Sequence, residues 1–125
     1  MGELLDTNVF LWMLGGDTLP RPVERALEKA ATEYYVSIVS AWEIAMKPTL
    51  GLKPSDVEAG ITAMGARVLP IRFGHLTELS AMPMFGDHRD PFDRLLIAQA
   101  ISEGLRMISS DRRFPRYKKL RLLWD

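Results

Sequence analysis

Short apolar runs alternate with longer amphipathic segments along the chain, a pattern typical of a parallel β-sheet covered by helices. The runs that predict strands are Glu3–Asp6, Tyr34–Val39, Arg67–Ile71, Arg106–Ser109 and Arg121–Trp124. The segments with helical periodicity are Asn8–Leu14, Pro22–Ala31, Ala41–Leu50, Ser55–Met64, Phe73–Ala81 and Pro91–Glu103. With 125 residues and no repeat or linker, the chain is expected to form a single α/β domain over residues 1–125.

Acidic residues stand at the ends of the predicted strands. Asp6 ends the first strand, Glu43 lies in the first turn of the helix after the second, and Asp111 follows the fourth. In an open parallel sheet, ligands bind beyond the carboxyl ends of the strands. Since those ends share one edge of the sheet, we expect the three carboxylates to lie near one another.

A fourth carboxylate is brought to the same edge by the phase of its helix. Asp93 stands one turn before the apolar stripe that begins at Ile97. Its side chain should therefore point inward at the N-terminal end of the helix. Asp90 precedes Pro91, an order typical of a helix N-cap followed by proline in the first turn.

Most of these acids, taken singly, also have a structural explanation. Ser40 and Glu43 match a capping box. The two acids around Pro91 suit the positive end of a helix, and Asp111 could cap a final turn. Asp6 is harder to explain in this way, because a lone carboxylate at the end of a central strand is costly unless it is paired or binds a metal.

The four acids together predict a divalent metal site. Neighbouring carboxylates repel by about 4 kcal/mol per pair at a few ångströms and an effective dielectric constant of about 20. The nearest predicted cations, Lys47 and Arg94, do not clearly reach the centre of the cluster. Oxygen ligands without cysteine favour Mg²⁺ or Mn²⁺ over zinc, and such a site suits phosphodiester hydrolysis. The hydroxyls of Thr7 and Ser109 could orient a water or a ligand there, or simply form turns.

The composition narrows the class of protein. The formal net charge is zero and cysteine is absent, which excludes disulfides and fits a reducing compartment. No apolar run approaches the roughly 20 residues of a membrane span, and the N-terminus lacks a signal-peptide pattern, so a cytoplasmic protein with no membrane partner is expected. Six basic residues and no acid occur between Arg112 and Arg121. This segment could bind RNA phosphates or form a solvated face.

Several further residues are predicted to be structural. His88 precedes a helix and is expected to be a turn residue, with a general-base role as the alternative. His75 is expected to be an ordinary helix residue. Trp12, Trp42 and Phe92 fall at apolar positions and are expected in the core.

Five sequence segments together resemble a known protein family. The segments are LLDTNVFLW, SAWEIAMK, HRDPFDRLLIAQA, ISSDRRF and LRLLW. In this order and spacing they resemble the PIN-domain ribonuclease toxins of the VapC type, from prokaryotic VapBC toxin–antitoxin pairs. The resemblance extends over essentially the whole chain. It implies a PIN-like three-layer α/β/α sandwich whose central, mostly parallel sheet has four to five strands.

The resemblance also implies an activity and a set of site residues. The activity is a Mg²⁺- or Mn²⁺-dependent endoribonuclease whose metal is bound by Asp6, Glu43, Asp93 and Asp111. The residues expected to support these ligands or to orient RNA are Thr7, Asn8, Asp90, Arg94 and Ser109. Asp90 is then chiefly the cap of its helix. Such toxins are typically homodimers of the prokaryotic cytoplasm, silenced by a cognate VapB-like antitoxin that covers the active-site groove.

Three positions depart from the family pattern. Asn8 stands where many relatives have histidine, and Arg113 stands where some PIN domains have a fifth acid. Four acids suffice for one firmly held metal, so a second metal should bind more weakly or only with substrate. Pro48 should end or kink the helix after Glu43, which would preserve the ligand and change the antitoxin-facing surface.

Two other functional classes are considered. A catalytically silent PIN-fold module that binds RNA or protein should have lost acids of the set, and all four are present. An acid-pocket phosphotransfer domain fits less well, because Asn8 stands where a haloacid-dehalogenase-type phosphatase has its general acid. The adjacent acids and the lysine of a receiver domain are also missing from the expected positions.

Overall fold

A parallel five-stranded sheet runs through the middle of the molecule. In the computed structural model, which describes residues 2–29 and 32–125, its strands are β1 (Gly2–Leu5), β2 (Glu33–Ser37), β3 (Arg67–Leu69), β4 (Arg106–Ile108) and β5 (Leu122–Leu123). Their order across the sheet is β3-β2-β1-β4-β5, and every pair is parallel. The chain moves outward from β1 to β3 and then returns to the other side of β1. The sheet therefore reverses its direction of growth between β1 and β4.

Six α-helices in residues 2–29 and 32–125 cover the two faces of this sheet. They are α1 (Thr7–Leu14), α2 (Arg21–Glu28), α3 (Ile38–Ala45), α4 (Pro54–Ala63), α5 (Phe73–Ala81) and α6 (Pro91–Glu103). Short 3-10 turns span Pro48–Leu50 and Phe114–Arg116. None of the helices in the described residues is long and apolar enough to cross a membrane.

Alternating strand residues divide the core into two apolar clusters. Leu4 of β1 packs with the buried residues of α6 on one face, and Leu5 packs with those of α1, α2 and α4 on the other. Met107 and Ile108 of β4 divide between the same two faces, as the two-residue period of a strand requires. The predicted three-layer α/β/α sandwich is thereby confirmed.

The principal boundary error lies at the end of β2. The apolar run Tyr34–Val39 predicted a strand, but β2 ends at Ser37 and α3 begins at Ile38. The Ser37 hydroxyl accepts a hydrogen bond from the Val39 backbone N–H at 2.9 Å, so Ser37 caps the helix. β-branched residues in the first turn of a buried helix are indistinguishable by pattern from the end of a strand.

Other boundaries differ by smaller amounts. α2 ends at Glu28, whereas helix was predicted to Ala31, and the last two predicted positions lie outside the described residues. The predicted break at Pro48 is present, because α3 ends at Ala45. Trp42 is 50% exposed, so its expected place in the core is wrong; it packs edge-on against Phe92 with ring centroids 4.9 Å apart.

Gly104 closes α6 in a left-handed conformation, with φ of 68°. We expect Gly104→Ala to lower the free energy of unfolding by about 1 kcal/mol, since an added Cβ meets no neighbour but strains the backbone. Gly74→Ala is the matched control: its Cβ would meet only the Ser102 hydroxyl at 3.6 Å, and helix propensity favours alanine. Urea unfolding of both variants measures the difference, and equal stabilities would contradict it.

Candidate active site

Asp6 occupies the point where the sheet reverses direction. It directly follows β1 and caps α1, with Oδ1 accepting a hydrogen bond from the Thr7 backbone N–H at 2.8 Å. Its Oδ2 accepts a hydrogen bond from the Ser109 hydroxyl, just beyond β4, at 2.7 Å. These contacts join the carboxyl ends of two neighbouring strands that are far apart in sequence. The carboxylate is thus held in one orientation at the centre of the sheet edge.

Burial makes the negative charge of Asp6 unfavourable. Asp6 is only 6% exposed, and this burial raises its pKa to about 6, with the charges of Asp93 and Asp111 adding to the effect. The hydrogen bonds from Ser109 and Thr7 oppose the rise in pKa. The same interactions show that three of the predicted acids lie close enough to influence one another.

Glu43 reaches the site from a different helical position than predicted. It is the sixth residue of α3 and lies in the second turn rather than the first. The predicted capping box from Ser40 to Glu43 is therefore wrong, because Ser37 is the N-cap and Ser40 is helical. Ser40 and Thr7 instead share a hydrogen bond between their hydroxyls at 2.8 Å, which joins α3 to α1 beneath the site.

One oxygen of Glu43 lacks a partner. The residue is 7% exposed, and its Oε2 accepts a hydrogen bond from the Lys47 ammonium at 3.0 Å. Its Oε1 is buried and accepts no hydrogen bond from the described residues. A buried carboxylate oxygen without a donor is costly, and a bound cation would remove that cost.

Asp93 stands at the N-terminal end of α6, as its helical phase predicted. Asp90 caps this helix by accepting hydrogen bonds from the backbone N–H groups of Phe92 and Asp93 at 2.8 and 3.2 Å. Burial raises the pKa of Asp93, and the charges of Asp90 and Glu43 raise it further. A hydrogen bond to His88 opposes this effect. Asp93 therefore shares one electrostatic environment with the other acids.

Behind Asp93 lies a buried polar chain that sequence analysis missed. The His88 Nε2 lies 3.1 Å from Asp93 Oδ2, and its Nδ1 lies 2.8 Å from the Tyr117 hydroxyl. Arg94 donates to that hydroxyl at 3.3 Å and to the Pro83 carbonyl at 2.8 Å. His88 is fully buried, so it is no simple turn residue. The Arg94 guanidinium therefore belongs to this supporting chain.

The fourth acid, Asp111, is paired with Arg113. The guanidinium of Arg113 donates to both carboxylate oxygens, from Nε at 3.1 Å and from Nη2 at 2.8 Å. This pairing lowers the pKa of Asp111. Asp111, Asp93 and His88 each have an atom that could ligate a metal, a carboxylate oxygen or a ring nitrogen, and these three atoms lie within 4.8 Å of one another. Asn8, by contrast, lies exposed in the first turn of α1.

The residues present fit a divalent cation. The unpartnered Glu43 oxygen and the raised pKa values of Asp6 and Asp93 both indicate excess negative charge at this edge. The donor set is almost entirely carboxylate oxygen, which suits Mg²⁺ or Mn²⁺. Lys47 and Arg113 neutralise only part of the charge, because each forms its closest pair with a single acid.

Comparison with known proteins identifies the family. The model of the PIN domain matches residues 4–120, so the chain belongs to the PIN domain family. Among curated protein sequences, none matches this chain.

Solved structures of VapBC complexes share the fold. A chain of VapBC2 from Rickettsia felis bound to a DNA fragment from their promoter is 17% identical over 100% of both chains, with a TM-score of 0.73. DNA-bound VapBC from Salmonella typhimurium gives 18% identity and a TM-score of 0.73 over 98% of this chain and 97% of that one. VapBC-1 from nontypeable Haemophilus influenzae gives 16% identity and a TM-score of 0.66 over 98% of this chain and 97% of that one. At these identities the likeness establishes a common fold.

The raised pKa of Asp6 predicts that Asp6→Asn stabilises the metal-free protein. The pKa of Asp6 is about 6 in the folded state, compared with an ordinary value of 3.8. As the pH rises from 3.8 to about 6, the unfolded chain loses the Asp6 proton before the folded protein does, so the free energy of unfolding falls. Above about pH 6 this loss of stability is complete. The shift corresponds to about 3 kcal/mol. Because asparagine keeps only one acceptor oxygen, we expect a gain of about 1–2 kcal/mol near pH 7.5 in EDTA, shrinking towards pH 4.

Thermal unfolding of wild type and variant at both pH values measures this effect. Asp17→Asn, which alters an exposed carboxylate, is the control and should leave stability unchanged. If Asp6→Asn destabilised the protein equally at both pH values, the carboxylate would be a structural cap rather than an unneutralised charge.

Proposed function

We propose that this protein is a Mg²⁺- or Mn²⁺-dependent endoribonuclease that acts as the toxin of a type II toxin–antitoxin pair. The observation that carries the proposal is the convergence of four carboxylates on the edge where a PIN-domain sheet reverses. Two of these acids have raised pKa values, and a third has a buried oxygen with no hydrogen-bond partner among the described residues. Such excess negative charge is a cost to the fold that a metal-dependent activity explains.

The metal would be held by Asp6, Glu43, Asp93 and Asp111, directly or through water. When bound, it supplies positive charge that activates a water molecule and stabilises the charged oxygens of a phosphodiester undergoing hydrolysis. The chain fixes the geometry of the ligands: Ser109 orients Asp6, and His88 orients Asp93. In the reaction that we propose, water oxygen bonds to phosphorus in line with the bond that breaks, leaving a 5′-phosphate and a 3′-hydroxyl.

Basic side chains in the segment that follows Asp111 support RNA as the substrate. Arg112 and Lys118 are exposed, and neither forms an ion pair within the described parts of the chain. Arg116 and Lys119 of the same segment are instead paired with Asp87 and Glu78. The unpaired cations are available to contact a phosphate backbone, whereas the chain as a whole carries no net charge to attract one.

Exposed apolar side chains beside the site support an antitoxin partner. Trp42, Met46 and Leu50 are 50%, 65% and 41% exposed, and they flank Glu43 and its partner Lys47 along the chain. A VapB-like antitoxin segment with apolar side chains could cover this surface together with the active-site groove. The VapBC complexes that share the fold support such a pairing, and homodimerisation in the prokaryotic cytoplasm belongs to the same proposal.

The competing functions account for less of the structure. The strand order 3-2-1-4-5 differs from the 2-1-3-4-5 order of flavodoxin-like receiver domains, which disfavours that phosphotransfer class. A catalytically silent module would have no use for clustered carboxylates that destabilise the fold. Both alternatives predict no RNA cleavage, so one assay separates them from the proposal.

Incubation of the purified protein with a mixed RNA pool tests the proposed reaction. We expect cleavage only with Mg²⁺ or Mn²⁺, and a loss of at least about 100-fold in Asp93→Asn, because asparagine removes a charged ligand. Asp17→Asn is the matched control and should cleave at the wild-type rate. Cleavage that persists in EDTA, or in Asp93→Asn, would refute the metal assignment.

Expression in a bacterial host tests the toxin role separately. We expect induction of the wild-type chain to stop growth and induction of Asp93→Asn to leave growth unchanged at the same protein level, because only the former cleaves RNA. Plating efficiency and immunoblotting provide the two measurements. Equal growth arrest by both proteins would assign toxicity to something other than the active site.

A further inference from the structure

Arg113 projects a positive charge into the acidic cluster from the loop after β4. Its Nε and Nη2 donate to the two oxygens of Asp111, and its Nη2 also lies 3.7 Å from Asp93 Oδ2. The guanidinium therefore spans two of the four proposed metal ligands. Its side chain remains 44% exposed, so it faces the open side of the site rather than the core.

The two cations at the site, Lys47 and Arg113, form ion pairs with some of the acids and not with others. Lys47 pairs with one oxygen of Glu43, and Arg113 covers Asp111 and one oxygen of Asp93. Asp6 forms no ion pair with the described residues, and the Glu43 Oε1 has no donor there either. The acids without a close cation are consequently Asp6 and, at its Oε1, Glu43.

From this arrangement we propose that the Arg113 guanidinium occupies the position of a second cation, so that the site holds one divalent ion instead of two. The inference rests on the proposed metal-dependent function and defines the stoichiometry of that site. Asp6 and Glu43 would be the principal ligands of the single ion. Asp111, which is paired with Arg113 through both carboxylate oxygens, also holds the guanidinium in place.

The chemistry of arginine suits this role. In two-metal phosphodiesterases the second ion stabilises one of the oxygens that changes charge during displacement. A guanidinium is permanently charged and can hold a carboxylate through two donors. Nη1 of Arg113 donates no hydrogen bond to the described part of the chain, so one face of the group is free to donate to a phosphate oxygen.

Counting bound Mn²⁺ ions tests the proposal without relying on activity. Wild type, Arg113→Ala, Arg113→Lys and Arg112→Ala would be titrated with Mn²⁺ by calorimetry, and their electron paramagnetic resonance spectra recorded. Arg112→Ala is the matched control, because it removes the neighbouring exposed cation. Circular dichroism would establish that each variant is folded.

We expect the wild type, Arg113→Lys and Arg112→Ala to bind one ion with the spectrum of isolated Mn²⁺. Arg113→Ala should bind a second ion and show the broadened spectrum of a coupled pair, or bind its single ion at least about tenfold more tightly, because the positive charge beside Asp111 and Asp93 has been removed. Two coupled ions in the wild type would overturn the proposal. So would an Arg113→Ala variant that matches wild type in both number and affinity.

A third result is distinct from these. If none of the four proteins bound Mn²⁺ or Mg²⁺, the metal-dependent function itself would be wrong, and this inference with it. Binding of one ion by all four proteins with equal affinity would remove only the role assigned to Arg113.

Discussion

The structure of the site depends on the hydrogen bond between Asp6 and Ser109. Asp6 follows β1 and Ser109 follows β4, and the two strands lie side by side where the sheet reverses. Because the residues beyond both strands are held by this contact, the loop that carries Asp111 starts from a defined position. Glu43 and Asp93 then reach the same edge from helices that pack on the sheet. This buried contact, together with the backbone hydrogen bond from the Asp6 N–H to the Ile108 carbonyl at 3.0 Å, fixes the ends of β1 and β4 relative to each other.

The acids at this edge are in an electrostatically unfavourable state, which the hydrogen bond from Ser109 to Asp6 only partly relieves. Burial raises the pKa of Asp6 to about 6, and nearby acids raise that of Asp93. The apolar clusters on both faces of the sheet must outweigh this repulsion before any ion binds. For the proposed metal site, stability and affinity would therefore be opposed: substitutions that relieve the repulsion should stabilise the metal-free fold and weaken metal binding.

Sequence patterns predicted the sandwich and drew attention to its acids, because strand-to-helix turns and helical phase are local features. They failed where the decisive contact is non-local or where two structures share a pattern. His88 is buried through a contact with Tyr117, 29 residues away, and no nearby residue signals it. Ile38 and Val39 suit a strand as well as a helix, so Glu43 was placed one turn too early. The sequence indicates that Arg113 stands where some PIN domains have a fifth acid. It does not indicate that the guanidinium reaches Asp111 and Asp93.

The pairing of β1 with β4 has a consequence for the synthesis of the protein. Glu3 and Arg106, which face each other across these strands and form an ion pair, are separated by 103 residues, as are Asp6 and Ser109. Closing so long a loop is slow relative to local helix formation. During synthesis on the ribosome, β1 cannot pair with β4 until β4 has emerged. The four acids cannot come together before Asp111 has left the exit tunnel, so the proposed metal site cannot form on a nascent chain that still lacks β4 and the residues after it.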